Sequence, residues 1–124
     1  MPSNQERWTD IDTYFSKTLH GDTSVLDAAL QASDEAGLPQ INVAPNQGKF
    51  LTVLALATGA SRILEIGTLG GYSTIWLAHG LPEDGKIVTL EVNEHHADVA
   101  RKNFEHAGIA DAIDTELGHQ QNPN

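Results

Sequence analysis

Apolar positions in the first half of the chain recur at helical spacing. Thr9, followed by Asp10 and Asp12, has the signature of an N-cap with an acidic first turn, and Ile11, Tyr14, Phe15, Thr18 and Leu19 then repeat until Gly21. This predicts a first amphipathic helix. Ser24 with Asp27 starts a second, which carries Leu26, Ala29 and Leu30 on one face and stops at Gly37-Leu38-Pro39. A third runs from about Asn46 to Thr58, with Phe50, Leu51, Val53, Leu54 and Ala57 expected inward and Gly59 at its end. From Arg62 the period changes. Ile63-Leu64-Glu65-Ile66 is a short, almost wholly apolar run, the pattern of a strand covered by helices on both faces. A glycine-rich turn, Gly67 to Gly71, precedes a helix from Ser73 to His79, with Trp76 as a core residue. Lys86 to Val92 is a second strand. Asn93 caps a helix that turns Ala97, Ala100, Phe104 and Ala107 inward and ends at Gly108. Ala112 to Leu117 is a third strand, in which Ile113, Thr115 and Leu117 alternate with Asp114 and Glu116, so one face should be wet.

The order of these elements is β-α-β-α-β after three helices. Alternation of this kind gives an α/β fold with parallel strands joined by right-handed crossovers, here the first half of a doubly wound sheet in strand order 3-2-1. Residues 1–59 form an N-terminal helical segment, 60–118 the first half of a cofactor-binding α/β domain, and 119–124 a polar tail. In a doubly wound sheet the first strand is central, with a fourth on its other side. None is encoded here, so the chain reads as truncated, with roughly 100 residues needed to complete the sheet. The edge at Ile63 to Ile66 is thereby open to a second copy or to another chain.

Composition narrows the function. The 124 residues carry 17 acidic against 7 basic side chains, a net charge of −10, with no Lys/Arg run. Such a surface repels a phosphate backbone and an anionic membrane, so no nucleic acid and no membrane is expected as a partner. The absence of cysteine excludes disulfides and thiolate zinc sites. With no leader-like N-terminus and no apolar run long enough to span a bilayer, the expectation is a cytoplasmic protein.

The candidate chemistry lies around the glycine turn. Gly67 and Gly71 sit where a strand-to-helix turn requires positive backbone dihedrals or close approach of a ligand. The turn departs from the dinucleotide pattern G-x-G-x-x-G because Leu69 takes the place of its second glycine. A carboxylate is then a better guest for the following helix start than a pyrophosphate. Glu91, 24 residues after Gly67 at the end of the second strand, can accept hydrogen bonds from both hydroxyls of a ribose. Glu65 can accept from an amine or brace the turn, and Ser73 can cap its helix, touch a ligand, or both. Together they suggest an amino-acid nucleoside. His95-His96 is a poor metal site, because adjacent helical residues point about 100° apart.

Glu65-Ile66-Gly67-Thr68-Leu69-Gly70-Gly71-Tyr72-Ser73 resembles the first motif of class I S-adenosylmethionine-dependent O-methyltransferases, in the group of catechol and caffeoyl-CoA O-methyltransferases. Ile41-Asn42-Val43, Gln47-Gly48-Lys49-Phe50-Leu51, Thr89-Leu90-Glu91 and His96-Ala97 follow the family's pattern in the same order, from about Trp8 to Gly118. The resemblance implies a Rossmann-like methyltransferase fold and S-adenosylmethionine as cofactor. It implies that Val43 holds the methionine part through its backbone, Gly67 and Ser73 the carboxylate region, Glu65 the loop and amino group, and Glu91 the ribose. Residues near Glu91 and His96 would line the adenine pocket. It also implies a small-molecule, catechol-like methyl acceptor and a divalent metal such as Mg. The family's metal ligands and catalytic lysine follow the third strand, so no residue of this chain is assigned to catalysis or to a metal. Two other readings remain: a non-catalytic module that binds cofactor or self-associates, and a fragment of a nicotinamide-dependent reductase, which Leu69 disfavours.

Overall fold

The computed structural model describes residues 1–118; the expected polar tail, 119–124, lies outside them. Three helices, α1 (Asn4–Leu19), α2 (Ser24–Glu35) and α3 (Pro45–Thr58), precede β1 (Arg62–Ile66), α4 (Tyr72–Ala78), β2 (Lys86–Glu91), α5 (Glu94–His106), a 3-10 turn at Ala110–Ala112 and β3 (Ile113–Leu117). The strands form one parallel sheet in order β1-β2-β3, so the expected half-sheet is formed.

Several local expectations are corrected. α1 starts at a capping box well before Thr9: Ser3 Oγ accepts the Glu6 N–H at 3.1 Å while Glu6 accepts the Ser3 N–H at 2.6 Å. Thr9 is a helical residue whose hydroxyl bonds back to Gln5. None of the apolar side chains of α1 is buried. The second helix does begin at Ser24, with Thr23 as its N-cap.

The third helix is rotated from its expected orientation. Its buried residues are Gly48, Thr52 and Ala55, whereas Phe50, Val53, Leu54 and Ala57 are exposed and Leu51 is half-buried. Small side chains win because α3 packs closely on α4. A Cβ at Gly48 would stand 2.2 Å from the Trp76 ring, and Thr52 Oγ1 donates to the Trp76 carbonyl at 2.6 Å. Trp76 is buried in the core, as expected, with Leu26 and Ala29 of α2, Tyr72 and Ile75 of α4, and Ala100 and Phe104 of α5.

Coverage of the sheet on both faces is also corrected. Ile87, Thr89 and Glu91 of β2 are buried on the side of α4 and α5. On the other side Leu64 and Ile66 are 64% and 81% exposed. Right-handed crossovers place α4 and α5 on the same face, so the helices of this segment cannot cover the opposite one.

Candidate functional site

β1 and β2 both end at one rim of the sheet, and the turn from Gly67 to Gly71 passes over it. Gly67 has φ +92° and donates its N–H to Leu90 O at 2.8 Å. A Cβ there would meet nothing within 4 Å, so the main chain lies open to the space above. Gly71, φ +90°, is the N-cap of α4, and a Cβ on it would stand 2.5 Å from the Phe104 ring. Ser73 is therefore not the helix cap; it lies inside the first turn. Asn103 closes the turn from below, donating Nδ2–H to Gly70 O at 2.7 Å.

Glu65 faces into the protein beneath the turn. It accepts from Ser73 Oγ at 2.8 Å, from Thr89 Oγ1 at 2.8 Å and from Thr74 Oγ1. Because the Thr89 proton is directed at Glu65, the 2.6 Å contact between Thr68 and Thr89 hydroxyls has Thr68 as donor. A chain of hydroxyls thus ties the turn to the carboxylate. Thr68, Thr74, Thr89 and Asn103 were not singled out by sequence. Their signal is a polar residue at a position that periodicity assigns to the interior, a weak one because buried Thr is common.

Glu91 is buried at the end of β2 and holds three backbone donors. Oε1 accepts from Leu69 N at 2.8 Å, and Oε2 from Val92 N at 2.9 Å and Asn93 N at 3.0 Å. His96 Nδ1 lies 3.9 Å from the same carboxylate. A carboxylate has about four acceptor positions, so one remains for an incoming hydroxyl while Leu69 keeps its bond. Simultaneous contact with both hydroxyls of a ribose requires the Leu69 contact to loosen.

These groups surround one cleft of about 330 Å³, whose walls include Val43, Gly67, Leu69, Ser73, Glu91 and His96. Four of the five expected site residues, Val43, Gly67, Ser73 and Glu91, line it together. Glu65 does not; it lies behind Ser73 and reaches the cleft through that hydroxyl. His95 points away, with its Nε2 2.8 Å from Ala36 O. Among the described residues no three His, Asp or Glu side chains come together as metal ligands. The donor set among the described residues does not fit the implied metal.

The family model described as O-methyltransferase matches residues 16–122. The chain belongs to the O-methyltransferase family. It is 54% identical over 109 residues to a catechol O-methyltransferase of Mycobacterium tuberculosis, covering 88% of this chain and 50% of that protein. It is 45% identical over 115 residues to a catechol O-methyltransferase of Niastella koreensis, covering 93% and 52%. Among solved structures, an O-methyltransferase from Bacillus cereus in complex with SAH superposes with a TM-score of 0.89 at 51% identity, over 91% of this chain and 51% of that one. An O-methyltransferase of Streptomyces achromogenes in complex with SAM superposes equally well, with a TM-score of 0.89 at 44% identity, covering 95% and 53%. The chain spans about half the length of the relatives it matches.

Proposed function

We propose that this chain is the cofactor-binding half of an S-adenosylmethionine-dependent O-methyltransferase whose acceptor is a small-molecule, catechol-like or phenolic hydroxyl. The observation that carries the reading is the cleft lined together by Val43, Gly67, Ser73 and Glu91. The solved relatives in complex with SAH and SAM support the cofactor class, and the catechol O-methyltransferases support the acceptor class.

In this reading Glu91 accepts a ribose hydroxyl at its free position, and His96 stands beside the base. The open main chain at Gly67 lets the sulfur-bearing part of the ligand lie against the turn, in the cleft that Val43 also lines. Ser73, expected beside the ligand's carboxylate, has its proton committed to Glu65 and in this reading offers its lone pairs to the ligand's amino group instead, with Glu65 supplying negative charge behind it. When bound, the cofactor supplies an electrophilic methyl group on a sulfonium. The chain's part is to fix that group's position, which is a large share of catalysis when two reactants must be aligned.

Calorimetric titration with S-adenosylhomocysteine, adenosine and NADH tests this. The expected result is binding of S-adenosylhomocysteine, weaker binding of adenosine and none of NADH. A folded chain that ignores S-adenosylhomocysteine, or prefers NADH, overturns it.

A further inference from the structure

The turn from Gly67 to Gly71 is held from behind by two helices. A Cβ on Gly70 would collide with Ser33 Oγ of α2, and one on Gly71 would stand 2.5 Å from the Phe104 ring of α5. The Ser33 hydroxyl is itself fixed, donating to Ala29 O at 2.7 Å, and the two helices are joined where His95 Nε2 lies 2.8 Å from Ala36 O. Close contacts of this kind resist compression. Separation is resisted by a hydrogen bond, and here Asn103 supplies it: its Nδ2–H donates at 2.7 Å to the carbonyl of Gly70, and both residues are buried. Asparagine is a weak helix former and costly to bury, so its place within α5 is explained by the carbonyl it meets. The same helix reaches the other side of the site. Its N-cap, Asn93, donates its N–H to Glu91 Oε2 at 3.0 Å, and it lies ten residues before Asn103, about 15 Å along a helix. One helix therefore spaces the glycine turn from the Glu91 carboxylate.

We propose that Asn103 is a positioning residue: it sets the height of the glycine turn over the cleft, and with it the division of Glu91 between the Leu69 N–H and a ligand hydroxyl. Without the tie to Gly70 the turn is free to move away from α5. The Leu69 N–H then withdraws from Glu91 Oε1, which it now meets at 2.8 Å, and the main chain at Gly67 leaves its place on the cleft wall. A ligand that depends on Glu91 and the His96 side loses little, because an acceptor position on the carboxylate is released. One that also lies against Gly67 and Ser73 loses most. The effect on ligands rests on the cofactor proposed above; the effect on the turn does not.

The test uses Asn103→Ala and Asn103→Leu in the full 124-residue chain. Alanine favours the helix and leucine keeps the branched shape, so the two give separate routes to a folded chain without the N–H. Hydrogen exchange should quicken about tenfold or more at the Leu69 and Gly71 amides, which bond to Glu91 Oε1 and Thr68 O, while the amides of β2 keep their parent rates. Calorimetric titration should show S-adenosylhomocysteine bound about tenfold more weakly, with adenosine within about threefold of its parent affinity. Quickening spread evenly over β2, α4 and α5 would make Asn103 an ordinary packing residue and overturns the proposal. Unchanged rates at Leu69 and Gly71 overturn it too, as does S-adenosylhomocysteine affinity that stays at the parent value or falls no further than that of adenosine. Local quickening in a chain whose parent binds no S-adenosylhomocysteine overturns the proposed cofactor and supports the hold of Asn103 on the turn.

Discussion

The Glu91 carboxylate holds Leu69 in a left-handed backbone conformation: Oε1 accepts the Leu69 N–H at 2.8 Å, and Leu69 has φ +53°, the one positive φ among the described non-glycine residues. A position where a dinucleotide site has glycine is thus occupied by leucine in glycine's conformation. The left-handed region costs a side-chain-bearing residue about 1–2 kcal/mol, which the bond to Glu91 helps to offset.

Leu69→Gly removes that strain but adds about 0.4–1 kcal/mol of unfolded-state entropy, so its net effect on stability should lie within about 1 kcal/mol of zero. Leu69→Ile, branched at Cβ, should lose about 1 kcal/mol or more. Denaturant unfolding of the pair decides: equal losses would mean that side-chain contact and not the dihedral governs this position.

Glu91→Ala strips three backbone N–H groups of their acceptor as well as the proposed ribose contact. Affinity for S-adenosylhomocysteine should fall by about 1–3 kcal/mol, and the melting temperature should fall with it. Glu91→Gln, which keeps one acceptor oxygen, should lie between. Unchanged affinity in a folded Glu91→Ala chain would remove the ribose role.

Thr89→Val keeps the shape of a fully buried side chain and deletes the hydroxyl that links Thr68 to Glu65. The cost to stability should be about 1–3 kcal/mol, since both neighbours lose a partner. Thr89→Ser retains the link and loses one methyl group, about 1 kcal/mol. In titrations Thr89→Val should weaken S-adenosylhomocysteine more than adenosine if Glu65 has the proposed role at the amino-acid end. Equal weakening of both ligands would make the link structural only.

Gly48→Ala pits two effects against each other. Alanine is the better helix former by about 1 kcal/mol, but its Cβ would fall 2.2 Å from a Trp76 ring that is locked in the core. Overpacking of this kind costs about 1–3 kcal/mol, so thermal denaturation should show a net loss. A higher melting temperature would mean that α3 can move away from α4 freely.

Acidification should destabilise the fold through His79 and His20. Burial, and then the charge of Lys49, hold both imidazoles below the ordinary value of 6.5; for His20 a hydrogen bond with Asn46 partly opposes this. Just below 6.5 the unfolded chain therefore binds more protons than the folded one, and stability falls as pH drops through that window. The change is modest because both rings remain in contact with solvent. His79→Gln should flatten the dependence of melting temperature on pH between about 7 and 5.5, and an unaltered slope would assign the effect elsewhere.

Much of this was legible in the chain because the signals are local. Strand and helix order, the turn after β1 and the acid at the end of β2 follow from periodicity, from glycine where the backbone demands it, and from spacing along one strand-helix-strand unit. Glycine at 67 and 71 and glutamate at 65 and 91 are statements about residues a few positions apart, so the site could be sketched before the fold was known.

The faces of α1 and α3 were not legible. Phe50 and Val53 read as core by hydrophobicity, yet α3 turns Gly48, Thr52 and Ala55 to α4 because closeness of approach, not apolar area, governs that contact. α1 starts before Thr9 because the reciprocal capping box at Ser3 and Glu6 outranks Thr9 with its acidic first turn. Sequence by itself determined the element order, the half-sheet and, around the cleft, Gly67, Ser73 and Glu91, since each is set by neighbours in the chain; Val43 came from the family resemblance alone. Only the tertiary structure decided that Glu65 lies behind Ser73, that Glu91 is already bound to the Leu69 backbone, and that the face bearing Leu64 and Ile66 is open. Those are relations between segments brought together by packing, and no periodicity along one segment encodes what another segment leaves uncovered.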